Sequence, residues 1–243
     1  MPTMSVVIPA KDDAEMLERC LAALQRQTRP ADEIIVVDNG SKDATADVAR
    51  RYGATVLTED RPGITAAASR GYDAAAGDVI VRCDADSFPP RTWLAHIELA
   101  LDEHPDVVAV TGSATFYDLS PFAGWLAHLL YLNPYFVTVG AAVANTPVFG
   151  SNFAMRRATW TSVSASVPRD EPDLHDDSDL SYRIPPEDRI MFDHGMLVGI
   201  SGRPFKDAAA FGLRIRRAGV TLRQHLPAEL PHRRWIRRVR GRA

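Results

Sequence analysis

The chain predicts an α/β domain, a mostly parallel sheet with helices on both faces, and two features of the sequence carry that prediction. Over the first half, short apolar runs alternate with segments whose apolar residues recur at helical spacing, the β-α-β-α rhythm of a parallel sheet. The apolar runs end in Pro9-Ala10, in Asp38-Asn39-Gly40-Ser41 and in Asp84-Ala85-Asp86, and open α/β sheets bind ligands beyond the carboxyl ends of their strands. A single domain of 243 residues buries enough surface to need no staple.

Residues 5–8, Ser-Val-Val-Ile, read as a buried strand, and Leu17, Cys20, Leu21 and Leu24 as the apolar stripe of the helix after it. Residues 33–38 read as a second strand, 41–52 as a helix capped by Ser41 or Asp43, and 54–57 as a third strand. A small-residue helix over 63–76 leads to a fourth strand over 78–83, and 107–115 reads as another. The expected division is a ligand-binding α/β half over 1–115, a second half of the same domain over 116–222, and a basic tail over 223–243. The second half reads as irregular structure around the acidic cluster from Asp170 to Asp179.

From 119 to 155 there is no Asp, Glu, Lys or Arg. His128, Asn133 and Pro134 interrupt this run, so a simple membrane-spanning helix is not expected. It reads either as a helical hairpin on or dipping into a membrane, or as a lid or dimer contact buried against protein. The net charge of −3 gives no pull toward nucleic acid. It conceals seven Arg against one Glu in residues 223–243, about +6 there and about −9 in the rest. Over 232–243, Trp235, Ile236 and Val239 lie at helical spacing among six arginines, either a basic amphipathic helix for anionic lipid or a disordered solubilising tail. Cys20 and Cys83 lack metal-ligand spacing and residues 5–8 are too short for a signal core, so a reduced cytoplasmic setting is expected.

The chemistry-bearing residues follow from position. Asp84 and Asp86 end a strand and precede Ser87-Phe88-Pro89-Pro90, so they leave the sheet edge into solvent, where paired carboxylates suit Mg²⁺ or Mn²⁺. Asp38 stands at a strand end, either to accept from a nucleobase N–H or ribose hydroxyl or as a plain turn residue. Asp12 and Asp13 read equally as helix-capping acids. If 179–183 begins a helix, Asp176 and Asp177 lie at its mouth and Arg183 reaches phosphate or pins an acid; crowding would raise one pKa, as a general base requires. The other reading is a solvated acidic loop.

Together these residues resemble the family-2 glycosyltransferases. The resemblance runs through Ser5-Val-Val-Ile-Pro-Ala10, Ile35-Val-Val-Asp-Asn-Gly-Ser-Lys-Asp-Ala-Thr45, Val81-Arg-Cys-Asp-Ala-Asp86, Gly150-Ser-Asn-Phe-Ala-Met-Arg-Arg157 and Asp176-Asp-Ser-Asp-Leu-Ser-Tyr-Arg183, in order over residues 4–183. It implies a GT-A fold and inverting transfer of one sugar from a nucleoside-diphosphate sugar, UDP favoured and GDP next, to a hydroxyl of a lipid-linked or cell-envelope glycan. By the same resemblance Pro9, Ala10, Asp12, Asp38 and Asn39 hold the nucleoside, and Asp84 and Asp86 serve the Mn²⁺ or Mg²⁺. Asn152 lies in the acceptor segment, Arg183 and Arg203 are candidates for phosphate, and Asp177 or Asp176 is the base. His194 and His225 are candidates for a third metal ligand. Lys11-Asp12 stands where an aromatic and an Asn are frequent, and Asp176 replaces a Glu. The Gln-x-x-Arg-Trp motif of processive synthases is missing, which favours single-sugar transfer. Joined to the 119–155 segment, the tail implies a peripheral enzyme on the cytoplasmic face of the membrane.

Two other classes remain. A sugar nucleotidyltransferase would need a Gly-rich basic loop, and residues 9–15 contain no Gly; a catalytically inactive nucleotide- or sugar-binding module would keep the motifs without the activity. A dinucleotide dehydrogenase lacks its Gly-x-Gly-x-x-Gly after the first strand.

Overall fold

The structure, a computed structural model, describes residues 1–206, 208–226 and 229–241. The alternation expected of the first half is present as β1 (Met4–Ala10), α1 (Ala14–Leu24), β2 (Glu33–Asp38), α2 (Thr45–Arg51), β3 (Thr55–Thr58), α3 (Ile64–Ala74) and β4 (Val79–Arg82). Then come α4 (Trp93–Glu103), β5 (Val107–Phe116), α5 (Pro121–Ala127), a π-helical turn (His128–Leu132) and α6 (Asn133–Val143). β6 (Phe153–Arg156), α7 (Arg157–Val163), α8 (Asp176–Arg183), β7 (Arg189–Ile200), α9 (Arg203–Lys206), α10 (Ala208–His225) and α11 (Pro231–Arg240) complete the chain.

The strands form one seven-stranded sheet in the order β3-β2-β1-β4-β6-β5-β7. β6 runs antiparallel to both its neighbours, and the remaining pairs are parallel. Alternate side chains enter opposite cores: Val6 and Ile8 meet Leu17 and Leu21 of α1 and Trp93 of α4, while Val7 meets Ala67 and Tyr72 of α3. Both faces are covered, which is why these strands read as unbroken apolar runs. α3 packs close because Gly71 faces Val7; a Cβ there would stand 2.3 Å from the Val7 side chain. Cys20 and Cys83 are buried with their sulfurs 3.9 Å apart.

The chain moves from β1 to β2 and β3 on one side and to β4 on the other, so the strand order switches between β1 and β4. That crevice, beyond the carboxyl ends of β1 and β4, is where this topology accepts a ligand.

Several expectations need correction. The second helix starts at Thr45 because Ser41 is occupied elsewhere, its Oγ accepting from the Asp12 N–H. Ala44 is the N-cap, and Asp43 before it accepts from the N–H of Thr45 and also from that of Ala14. The second half is not irregular: β6 and β7 extend the sheet. The uncharged segment makes no hairpin. Residues Pro121–Val143 form a continuous helical run of 23 residues, long and apolar enough by length and composition to cross a membrane. Pro134 directly follows the π-helical turn, a local widening that accommodates a residue without an N–H inside the continuous run.

The tail is a helix, with Arg242 and Ala243 outside the described residues. Much of its charge is spent within the protein. Buried Arg234 donates to the carbonyls of Val143 and Ile184, Arg238 to that of Ala144, and the Trp235 indole to that of Ala141. The Ala141, Val143 and Ala144 carbonyls lie at the C-terminal end of α6 and that of Ile184 at the end of α8, so these donors satisfy two helix ends.

Candidate active site

Two adjoining clefts open at the switch between β1 and β4. The larger, about 420 Å³, is lined by Pro9 and Ala10 from β1, Asn39 after β2, Asp84 and Asp86 after β4, and Arg203 from α9. The smaller, about 100 Å³, is lined by Arg82, Tyr131, Gly150, His175, Asp176 and Asp177. Asp84, Ile64 and Arg217 belong to both.

Asp86 is only 16 % exposed, against the expectation that the pair leaves into solvent. Burial, and next the charge of Asp84, push its pKa up to about 6. Arg203 compensates, reaching Asp86 at 3.3 Å and Asp13 at 2.7 Å. Two carboxylates drawn to one half-exposed guanidinium at a cleft wall are oxygen donors short of positive charge, and such a set fits a hard divalent cation. His194 and His225 are not part of it: His194 packs on Phe192, and His225 bonds Asp179 at 2.8 Å while stacking on Tyr182.

A second acidic group, His175, Asp176 and Asp177, has its candidate ligand atoms within 4.8 Å of one another. Its polar atoms are already engaged. The Gly150 N–H donates to Asp177 Oδ2 at 2.8 Å, His175 Nδ1 lies 2.6 Å from Asp177 Oδ1, and Arg82 donates to Asp176 at 2.9 Å. Asp84 is engaged as well, at one oxygen by Arg82 and at the other by the Ser151 hydroxyl at 2.6 Å, so Asp86 and Asp13, held by the half-exposed Arg203 alone, are the more available oxygen donors. The two acids on α8 are driven apart. Burial raises Asp176 above its ordinary range despite Arg82. For Asp177 burial is outweighed by the His175 charge and hydrogen bond and by the Gly150 N–H, which hold it at about 2.

Arg82 joins the two clefts. It is fully buried, bonding Asp84 at 2.5 Å and Asp176 at 2.9 Å, with the Tyr72 hydroxyl as a third partner at 3.0 Å. Sequence reasoning passed over it, although one arginine inside the apolar strand Val79-Ile-Val-Arg82 was the available clue.

Other sequence candidates lie differently from expectation. Asp12 does not line either cleft; its φ of 51° turns the backbone, its carboxylate accepts from the Lys42 N–H, and Asp13 faces the cleft in its place. Asp38 accepts from the Ser41 N–H and closes its own turn, and it is absent from the cleft walls. Asn39 lines the cleft but its side chain is spent on the carbonyls of Glu59 and Arg61 and the N–H of Gly63. Asn152 is fully buried: its Oδ1 accepts from the Trp93 indole and its Nδ2 donates to Ser113 and Met196 carbonyls, leaving nothing for a substrate. Arg183 forms a two-point pair with Asp179, one helical turn away, and points away from both clefts.

Comparison with known proteins adds to this geometry. The family model described as glycosyl transferase family 2 matches residues 5–162. Glycosyltransferase AglE of Haloferax volcanii is 36% identical over 102 residues, 39% of this chain and 34% of that protein. The undecaprenyl-phosphate 4-deoxy-4-formamido-L-arabinose transferase of Serratia proteamaculans is 34% identical over 116 residues, 43% of this chain and 35% of that protein. The chain thus spans about a third of the length of these curated relatives. Mannosyltransferase PcManGT from Pyrobaculum calidifontis, solved with GDP-Man and Mn²⁺, has a TM-score of 0.70 at 24% identity, covering 100% of this chain and 69% of that one.

Proposed function

Because this chain belongs to glycosyl transferase family 2 and has the GT-A fold, we propose that it transfers a single sugar, with inversion, from a nucleoside-diphosphate donor to an acceptor hydroxyl. The observation that carries this reading is the pair of clefts meeting at Asp84, one walled by Asp86 and the other by Asp177. The nucleoside lies along Pro9, Ala10 and Asn39, with Asp38 and Asp12 holding the turn beneath it. Uridine is the first choice of base and guanosine the second. Asp86, with Asp84, holds Mn²⁺ or Mg²⁺, which neutralises charge on the departing diphosphate. The GDP-Man and Mn²⁺ held by PcManGT support this choice of ligands.

Asp177, the member of the acidic pair kept ionised, takes the proton of the attacking hydroxyl with His175 neutral. The value of about 2, opposite in direction to the raised pKa expected of a base, holds only while His175 at 2.6 Å carries a charge. Asp176 is a positioning residue, tied through Arg82 to Asp84, so that base and donor site keep a fixed spacing. Arg203 is held by Asp13 and Asp86 beside the place where the diphosphate would lie.

The acceptor is lipid-linked, and the enzyme lies on the cytoplasmic face of the membrane. Phe122, Trp125, Leu129, Leu130 and Val137 are exposed along one helical run. An apolar cleft of about 400 Å³ between Leu126, Leu130 and Phe205 shares Tyr131 with the cleft of Asp177, a route for a lipid tail. The substrate named for the Serratia relative supports this class.

A nucleotide-release screen against UDP-, GDP- and dTDP-sugars, with Mn²⁺, Mg²⁺ or EDTA, tests the reading. Metal-dependent release from one donor, lost in Asp86→Ala, is expected; no release and no thermal shift with any nucleoside diphosphate plus metal would overturn it.

A further inference from the structure

Arg217, on α10, lines both clefts and is half-buried. Its Nε is inaccessible to solvent and has no hydrogen-bond partner among the described residues. The other arginines of the two clefts are engaged, Arg82 by Asp84 and Asp176, Arg203 by Asp13 and Asp86. The adjacent Arg216 pairs outward with Asp173. A buried guanidinium N–H without an acceptor is costly, and native structures rarely keep one without a water, an ion or a ligand to supply the acceptor; here it lies on the wall of both clefts. Guanidinium matches the spacing of phosphate oxygens and stays charged at any working pH.

The geometry points to Arg217 as the recognition residue for a phosphoryl group held where the donor and acceptor clefts meet, beside Ile64 and Asp84. This inference rests on the transferase reading for its two sources of phosphate: the diphosphate of the donor, or a phosphate carried by the acceptor close to its reacting hydroxyl. Both present the same chemistry to the same side chain. The site is absent from the sequence motifs because Arg217 comes from α10, far along the chain from the strand ends it faces.

The test uses the full chain and the variants Arg217→Gln and Arg217→Lys, each checked for an unchanged melting temperature. UDP, GDP and uridine are titrated with Mn²⁺ by calorimetry, and inorganic phosphate is titrated into the free protein and into the nucleotide–Mn²⁺ complex. A loss of tenfold or more in diphosphate affinity in Arg217→Gln, with uridine unaffected, assigns the donor's phosphate. Unchanged nucleotide binding with saturable phosphate binding to the complex, lost in Arg217→Gln, assigns the acceptor's. Arg217→Lys keeps the charge and recovers part of either effect. If both titrations are the same in wild type and Arg217→Gln, the inference is overturned. If wild type binds no nucleotide but phosphate binding still depends on Arg217, the phosphate site stands and the transferase reading falls. Should Arg217→Gln fail to fold, the comparison is made with Arg217→Lys, where a single-point ammonium is expected to bind phosphate severalfold more weakly.

Discussion

Asp86 must lose a proton before it can hold a cation, and burial has made that proton harder to lose, with a pKa of about 6 against an ordinary 3.8. A carboxyl whose native pKa is raised adds stability at low pH and forfeits it as pH rises through about 6, unless a cation replaces the proton. Mn²⁺ affinity should therefore climb about tenfold per pH unit below about 6 and level off above it. Calorimetry at pH 5, 6 and 7 checks this; a flat profile would remove Asp86 from the cation site. Asp177→Asn should lower kcat roughly 100- to 10,000-fold while leaving KM within a few fold. If Asp176→Asn shows that kinetic pattern and Asp177→Asn does not, the base assignment is reversed. At this scale the sequence was informative about residue type and less so about direction. Asp84 and Asp86 were legible because a strand end fixes where they stand. Asp12 was mistaken for Asp13 because a single left-handed residue reverses which neighbour faces the cleft, and Asn152 looked like an acceptor contact although its amide is consumed inside the protein.

β4 carries more of the site than its length of four residues suggests. Arg82→Met would leave Asp84 and Asp176 without their shared counter-charge, and breaking a buried pair from one side costs about 3–5 kcal/mol. The double variant Arg82→Met with Asp176→Asn should recover part of that loss in denaturant melts; no recovery would mean that Arg82 acts through packing alone. β5 depends on a different device. Its register with β7 shifts between Thr111 and Ser113, and at Gly112 a Cβ would stand 2.0 Å from the Met196 carbonyl oxygen. Gly112→Ala should destabilise by at least about 1–3 kcal/mol, seen as a fall of several degrees in Tm. Elements β1, β2 and β4 were legible because coverage on both faces leaves continuous apolar runs, and β3, an edge strand with exposed threonines, from the turn and helix signals around it. β6 was not: it is short, antiparallel, and reads as part of the uncharged segment. β7 was hidden by Asp193, His194 and Gly195 in its middle, polar residues tolerated there at the sheet's edge.

For the molecule as a whole, membrane attachment should depend more on the exposed apolar run than on the tail. Arg223, Arg233 and Arg240 are exposed and make no ion pair among the described residues, and at about 1 kcal/mol each near an anionic surface every one of them adds only about fivefold in affinity. Vesicle co-sedimentation should show modest salt sensitivity and a larger loss for Trp125→Ser with Leu130→Ser. Complete release at high salt would mean that the helix does not enter the lipid. The membrane face was half legible: absence of charge marked it, but the single continuous helix depends on a π-helical turn that composition does not announce. The sheet order has a further consequence, for how the protein is made. β4 lies at the middle of the sheet, yet its partner β6 appears about 70 residues later. At about 5–20 residues per second of synthesis, the ribosome exposes an unpaired Val-Ile-Val edge for roughly 4–14 s. A fragment ending near residue 115 would keep that edge open indefinitely and should aggregate. The stretch richest in recognisable motifs is therefore expected to need the second half of the chain in order to fold.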